Sequence, residues 1–332
     1  MGLAFNVKLC ALMTKPCLLQ IGEITERMRA RVSAEFAITE LFAQSDRAAF
    51  LASRGADFMA VLTDGHWGVP ADVISALPNL KVVSSYGVGY DAIDAPELAA
   101  RGILVCHTPD VLNDEVAVTA LMLWFSVSRK LVFADAWARS GNWETNGAFP
   151  LTHSVMNRKV GILGLGRIGQ TIASRCQAFG AEISYHTRSP KDVPYQYFDT
   201  LVDLAAHVDV VVVITPGGDA TRHLVNADVL AALGPDGILI NVSRGSVVDE
   251  TALVHALQSG ALGGAGLDVF DAEPKIPDAL KDMENVVLTP HVGSATIETR
   301  QAMGDLVCDN LSKFLNDGSV LTPVPECAHI QT

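Results

Sequence analysis

The stretch Val160-Gly161-Ile162-Leu163-Gly164-Leu165-Gly166-Arg167-Ile168-Gly169 constrains this chain more than any other, because an apolar strand runs into G-x-G-x-x-G and then into a helical pattern. Gly164 permits a tight strand-to-helix turn, Gly166 lets a pyrophosphate approach the backbone, and Gly169 lets the helix pack close to the sheet. The first turn of that helix presents unpaired N–H groups and the positive end of its dipole to the phosphates. The glycines alone would equally suit a plain Gly-rich turn. Their place between a strand and the helical stretch 168–179 predicts a dinucleotide cradle, with Leu165, Arg167 and Ile168 completing its backbone.

The next strand bears on which dinucleotide. In an NAD site it would end in a carboxylate that accepts from the ribose 2′-hydroxyl. Here Glu182-Ile183-Ser184-Tyr185 runs into His186-Thr187-Arg188-Ser189-Pro190-Lys191. No carboxylate stands there to repel a 2′-phosphate, and Arg188 and Ser189, with Lys191 a further candidate, can bind one through charge-assisted hydrogen bonds, so NADP(H) is expected in preference to NAD(H). A solvated basic turn is the other reading of the same residues.

At 332 residues the chain exceeds what one core usually supports, which predicts two domains. Its net charge of -13 argues against nucleic acid or an anionic membrane as partner, so an anionic substrate needs a local cation. Cys10, Cys17, Cys106, Cys176, Cys308 and Cys327 show no C-x-x-C spacing. They read as reduced structural thiols of a cytoplasmic protein, and no metal is expected. No apolar run has the length of a membrane span, and the opening is too weakly apolar for a secretory signal. Because the first strand-like run begins at Pro16, residues 1–12 read as an upstream start or appendage, with Met13 an alternative start.

Short apolar runs and helical patterns alternate over 17–21, 23–32, 58–62, 71–77 and 81–84, the βαβ rhythm of a small parallel unit. Residues 113–139 read as one long, mostly apolar helix, N-capped by Asn113 or Asp114. Strands follow near 159–164, 182–186, 209–214, 237–242, 263–268 and 286–288, rich in Val, Ile and Leu as expected for strands covered on both faces. The stretch 298–315 is helical again and returns to the first unit. The expected fold is α/β with two Rossmann-like domains: a doubly wound parallel-sheet dinucleotide domain at 107–294, inserted into a smaller flavodoxin-like substrate domain at 1–106 plus 295–332.

Three strand ends carry polar groups: Asn241-Val242-Ser243-Arg244-Gly245, Asp271-Ala272-Glu273-Pro274 and Thr289-Pro290-His291-Val292-Gly293-Ser294. Ligands of open α/β sheets collect outside the carboxyl ends of strands. An Arg, a Glu and a His arriving there in succession form a candidate catalytic set. His66, His107, His153, His207, His223 and His255 lack such a partner pattern.

From about Lys15 to Pro325 the chain resembles the D-isomer-specific 2-hydroxyacid dehydrogenases. The resemblance is carried by Tyr86-Gly87-Val88-Gly89-Tyr90-Asp91, His107-Thr108-Pro109-Asp110, the 164–169 glycines, Ser243-Arg244-Gly245, Gly266-Leu267-Asp268-Val269-Phe270 with Glu273-Pro274, and Thr289-Pro290-His291. Within that family, Thr187-Arg188-Ser189 and Thr108-Pro109-Asp110-Val111-Leu112 are most similar to the NADPH-linked glyoxylate/hydroxypyruvate and hydroxyphenylpyruvate reductases. The resemblance implies a reductase of small 2-oxo acids, glyoxylate and hydroxypyruvate, to (D)-2-hydroxy acids. Bulkier acids such as 4-hydroxyphenylpyruvate are the alternative, and a dinucleotide-sensing, corepressor-like protein is the alternative of a different class.

Reducing a 2-oxo acid needs a hydride at C2, a proton for the oxygen and fixed positive or N–H groups for the carboxylate. His291 is the expected acid, since imidazole titrates near neutrality. Glu273 would orient it and keep it charged, and the planar fork of Arg244 can span carboxylate and ketone. The amides of Val88 and Gly89 are expected to take the other carboxylate oxygen, with Tyr86, Phe149 and Leu151 as candidates to line the pocket and ordinary packing as their other reading. The resemblance gives Asp268 the nicotinamide carboxamide, a strand-end cap being its other reading. It gives Thr215, Pro216 and Thr221 the adenosine half, and adds Val242, His291 and Gly293 to the cofactor contacts. It also implies that 113–139 packs across a two-fold axis in a homodimer. Val118 departs from the family, replacing an acidic residue, and Trp143 is offset from the place of a tryptophan that reaches a neighbouring subunit, with Asn146 nearer that place.

Overall fold

The structure, a computed structural model, describes residues 15–331, so the expectations for residues 1–12, Met13 and Cys10 lie outside the described residues. The described chain forms two compact units, one running to Thr108 and resuming at Met303, the other spanning Pro109–Ala302. The sequence limits at 106/107 and 294/295 fall short of both crossings. The second lies inside a continuous helix, where no change of composition marks it.

In the first unit the elements are β1 (Cys17–Gln20), α1 (Glu26–Glu35), β2 (Ala37–Glu40), α2 (Arg47–Arg54), β3 (Phe58–Asp64), α3 (Ala71–Ala76), β4 (Val82–Tyr86), α4 (Ala95–Ala100) and β5 (Leu104–Cys106). The five strands pair in the order β2-β1-β3-β4-β5, all parallel. Leu18, Leu19, Phe58, Val61, Leu62 and Val83 are fully buried in its core, each contributing about 1.5–3 kcal/mol relative to exposure. Helices α2 and α4 and edge strands β2 and β5 were not foreseen. The start of α2 is nevertheless an ordinary N-cap, with the Asp46 carboxylate accepting from Ala49 N at 2.9 Å.

The second unit comprises α5 (Asn113–Ser128), α6 (Leu131–Arg139), α7 (Asn142–Asn146), β6 (Lys159–Leu163), α8 (Arg167–Gln177), β7 (Glu182–His186), β8 (Gln196–Tyr197), α9 (Leu201–His207), β9 (Val210–Val213), α10 (Ala227–Leu233), β10 (Ile238–Asn241), α11 (Glu250–Ser259), β11 (Gly264–Leu267), α12 (Asp278–Lys281) and β12 (Val286–Leu288). Its sheet runs β12-β11-β10-β9-β6-β7-β8 with every pair parallel. Strand β9 is four consecutive buried valines, as a strand covered on both faces requires. The chain steps outward from β6 to β7 and β8, then crosses back to β9. The topological switch point therefore lies between β6 and β9, where ligands of such sheets bind.

The long helix expected over 113–139 is two helices. α5 ends at Ser128, Lys130 takes a left-handed conformation with φ 46°, and α6 leaves at 59° to α5. No glycine or proline announces this break. The expected caps also fail, because Leu112 holds the N-cap position without a side-chain bond. Asp114 instead pairs with Arg175 of α8 at 2.6 Å. No single described helix is long and apolar enough to cross a membrane. The closing helix α13 (Ile297–Asp317) sends Val307, Cys308 and Leu311 into the first unit's core, where Asp305 and Asp309 pair with Arg31 of α1 at 2.8 and 2.6 Å.

Candidate active site

At the switch point β6 gives way to α8 through the glycine turn. Gly164 has φ 98°, and a Cβ there would lie 2.8 Å from Ile214 O, so only glycine joins the two strand ends at this spacing. A Cβ on Gly169 would meet Gly164 O at 2.2 Å, which fixes how closely α8 approaches the turn. Gly166 is the opposite case: nothing stands within 4 Å of its would-be Cβ. Space is open where the first amides of α8 point, and a pyrophosphate fits this cradle. Leu165 is buried, Ile168 half-buried, and the exposed Arg167 pairs with Asp110 at 3.2 Å.

Beyond β7, Arg188 and Ser189 are exposed, and Thr187 closes the loop by donating to Ser189 O at 2.7 Å. Among the described residues the Arg188 guanidinium has no hydrogen bond or ion pair. On the other side of the switch point Thr221 donates to Pro216 O at 2.7 Å, closing the loop that follows Thr215. Val242 is buried and bonds through its N–H to Val213 O.

The catalytic candidates meet at the opposite half of the same sheet edge. His291 Nδ1 lies 2.8 Å from Glu273 Oε2, with the His side chain about half exposed and the Glu side chain mostly covered. A carboxylate only accepts, so Nδ1 carries the proton of this bond and Nε2 is left for chemistry. Burial pushes the Glu273 carboxyl up. The hydrogen bond and charge of His291, the Phe270 amide at 3.0 Å and the Arg244 charge outweigh it, and the pKa lies below the ordinary carboxylate range. Arg244 stands on a loop braced by Asn241, whose side chain donates to Arg244 O at 2.9 Å. A Cβ on Gly245 would fall 1.8 Å from the backbone of Phe270, so the Arg244 and Glu273 loops lie backbone against backbone.

Asp268 has the structural task that its strand-end-cap reading anticipates, and it acts on the loop after β12. Its residue is 1% exposed. One carboxylate oxygen accepts from Thr289 Oγ1 at 2.6 Å and Val292 N at 2.8 Å, the other from Gly293 N at 2.8 Å. His291 N in turn donates to Asp268 O at 2.8 Å. The loop is thereby bent so that His291 has φ 53°, a conformation rare for residues with a Cβ. Burial raises the Asp268 pKa, opposed by the bonds from Thr289 and the two amides and by the His291 charge. Sequence reasoning missed Glu250, whose Oε1 accepts from Asp271 N at 2.9 Å and anchors the loop before Glu273. Its only signal was a position at the start of a helix.

In the first unit, Tyr86 ends β4 and the half-buried Val88 and Gly89 follow. Gly87 O accepts from Thr108 N at 2.9 Å, and Val88 O meets His107 Nδ1 at 2.8 Å. Among the described residues the N–H groups of Val88 and Gly89 donate to nothing, leaving two adjacent donors for an anion.

Residues 121–293 match the family model described as the NAD binding domain of D-isomer specific 2-hydroxyacid dehydrogenases. Glyoxylate/hydroxypyruvate reductase A HPR2 of Arabidopsis thaliana is 44% identical over 307 residues, covering 92% of this chain and 98% of the relative. Hydroxyphenylpyruvate reductase of Plectranthus scutellarioides is 44% identical over 298 residues, covering 90% and 95%. Among solved structures, an NADPH-dependent glyoxylate/hydroxypyruvate reductase of Sinorhizobium meliloti, in complex with NADP and malonate, superposes with a TM-score of 0.89 at 47% identity, covering 95% of this chain and 98% of that one. Matched by the family model and by relatives 44–47% identical over nine-tenths or more of its length, the chain belongs to the D-isomer-specific 2-hydroxyacid dehydrogenase family and is an oxidoreductase.

Proposed function

We propose that this enzyme reduces small 2-oxo acids, chiefly glyoxylate and hydroxypyruvate, to (D)-2-hydroxy acids and prefers NADPH to NADH. The observation that carries the reading is the His291–Glu273 pair at 2.8 Å beside the Arg244 loop, an acid and an anion anchor at the carboxyl ends of one sheet. The bound cofactor supplies the hydride for C2. In this reading 164–169 hold its pyrophosphate, Thr187, Arg188 and Ser189 the 2′-phosphate, and Thr215, Pro216, Thr221, Val242 and Gly293 its remaining polar and ring contacts. Asp268 acts on the ring through the loop it shapes.

The chain's own steps follow from charge. Arg244 holds the substrate carboxylate and draws electron density toward the ketone oxygen. His291 gives the proton on Nε2 to that oxygen. Glu273, ionised because its pKa is depressed, stabilises the cation before transfer and keeps the ring oriented. Electrons and protons balance: one hydride and one proton turn the ketone into the hydroxyl.

A second reading, reduction of bulkier acids such as 4-hydroxyphenylpyruvate, is favoured by the equally similar relative named for that activity. We place the enzyme in the cytoplasm as a homodimer. The free, mostly buried cysteines support the first statement, and the exposed large apolar side chains Val118, Met122, Leu131, Val132, Trp143 and Leu151, all within 118–151, support the second, since exposed apolar surface concentrated in one stretch of chain suits a partner. The deciding experiment is a steady-state comparison of glyoxylate, hydroxypyruvate, pyruvate and 4-hydroxyphenylpyruvate with NADPH and with NADH. The highest kcat/KM is expected for one of the first two acids with NADPH. No reduction of any acid would overturn the reading and favour a dinucleotide sensor.

A further inference from the structure

The loop 187–191 is held at both ends by phenols from two neighbouring strands. Tyr185 of β7 is 1% exposed. Its hydroxyl accepts from Lys191 N at 2.8 Å and donates to Lys191 O at 3.2 Å, gripping the far end of the loop. Tyr197 of β8, its register partner, donates to Thr187 O at 3.2 Å and grips the near end. The two rings lie 5.4 Å apart, and His186 Nδ1 fastens the same strand end to Phe198 O at 2.9 Å. Arg188 and Ser189 are at the exposed tip between these anchors.

A short polar loop at the edge of a sheet has backbone freedom that an anion would otherwise have to freeze on binding. Two hydroxyl anchors remove that freedom during folding, so less of the binding energy is lost to ordering. The gain reaches only a ligand that uses the tip. A dinucleotide with a 2′-phosphate does so, and one with a bare 2′-hydroxyl draws little from it.

We infer that Tyr185 and Tyr197 are positioning residues for cofactor choice, their hydroxyls holding 187–191 in the shape in which Arg188 and Ser189 meet a 2′-phosphate. This rests on the reading of 187–189 as the 2′-phosphate site.

The test is calorimetric titration of NADP+ and of NAD+ into the wild type, Tyr185→Phe, Tyr197→Phe, the double variant and Arg188→Ala, with kcat/KM for both reduced cofactors alongside. Each Phe variant keeps its ring and loses only the hydroxyl. In the double variant NADP+ binding is expected to weaken ~10-fold, the scale of one or two neutral hydrogen bonds, while NAD+ affinity stays within about two-fold. Equal weakening of both dinucleotides, the signature of a merely structural role, would overturn the inference, as would no change in either. If Arg188→Ala alone weakened NADP+ selectively, the 2′-phosphate reading would stand and the tyrosine inference would fail. A wild type that bound NADP+ no better than NAD+ would remove both.

Discussion

Replacing Asp268 by Asn tests how far His291, the proposed proton donor, depends on a carboxylate it never touches with its side chain. The wild-type carboxylate accepts three hydrogen bonds, from Thr289 Oγ1, Val292 N and Gly293 N. The Asn oxygen can keep the two bonds made by one carboxylate oxygen, but its NH2 then faces the buried Gly293 N–H, donor against donor. An unpaired buried donor costs about 1–3 kcal/mol. Loss of a charge whose burial is itself unfavourable, seen in the raised Asp268 pKa, offsets part of this, so about 1–2 kcal/mol of stability is the expected loss. Asp268→Ala strands all three donors and is expected to lose about 3–5 kcal/mol, the upper range for single substitutions. Because the same bonds hold His291 at φ 53°, the loop should relax in the Asn variant and turnover should fall by ~10–100-fold, the 1.4–2.7 kcal/mol that a mispositioned acid forfeits. Urea unfolding gives the stability change as a shift of the midpoint at constant slope, and pre-steady-state reduction gives the chemical step. An Asn variant with wild-type midpoint and wild-type hydride transfer would refute the reasoning.

Four further outcomes are expected. His291→Ala should lower kcat by ~10²–10⁴-fold, the range for general acid catalysis, while the cofactor Kd measured by fluorescence changes little; near-normal turnover would remove the acid assignment. The depressed Glu273 pKa means that its ionised form adds stability above the unfolded carboxyl pKa, and that this is lost as pH falls through the lower folded value; Glu273→Gln should therefore show a flatter stability profile across that acidic window, and superimposable profiles would contradict this. Arg188→Ala should cut the NADPH-over-NADH ratio of kcat/KM by ~10–100-fold, the scale of a charge-assisted hydrogen bond, with NADH kinetics nearly unchanged; a proportional loss with both cofactors would argue against a 2′-phosphate contact. The double substitution Leu131→Glu with Val132→Glu should shift sedimentation from a dimer toward a monomer, and a wild type that sediments as a monomer at micromolar concentration would end the dimer proposal.

The sequence made the second unit more legible than the first. Several of its strands are short apolar runs, Val210–Val213 and Ile238–Asn241 among them, whose burial leaves a nearly continuous apolar signal, and the glycine turn carries its own steric logic. The set Arg244, Glu273 and His291 was readable because each residue follows such a strand. Illegible were features that depend on what a side chain meets in space. The break between α5 and α6 is made by Lys130 in a left-handed conformation, a residue whose propensity says nothing of the kind. Asp268 offered a carboxylate at a strand end, but its three bonds involve residues more than 20 positions away. α2 was lost because its single buried residue, Leu51, gives no periodicity to detect.

The left-handed backbone of His291 has a consequence for how this enzyme could change. That conformation costs a residue with a Cβ about 1–2 kcal/mol, and only glycine, or to a lesser degree asparagine, would escape the cost. Neither can donate a proton as an imidazolium does. With His291 as the proposed proton donor, selection for thermal robustness and selection for turnover pull in opposite directions at one position, and no single replacement satisfies both. Gains in robustness have to come from elsewhere in the chain.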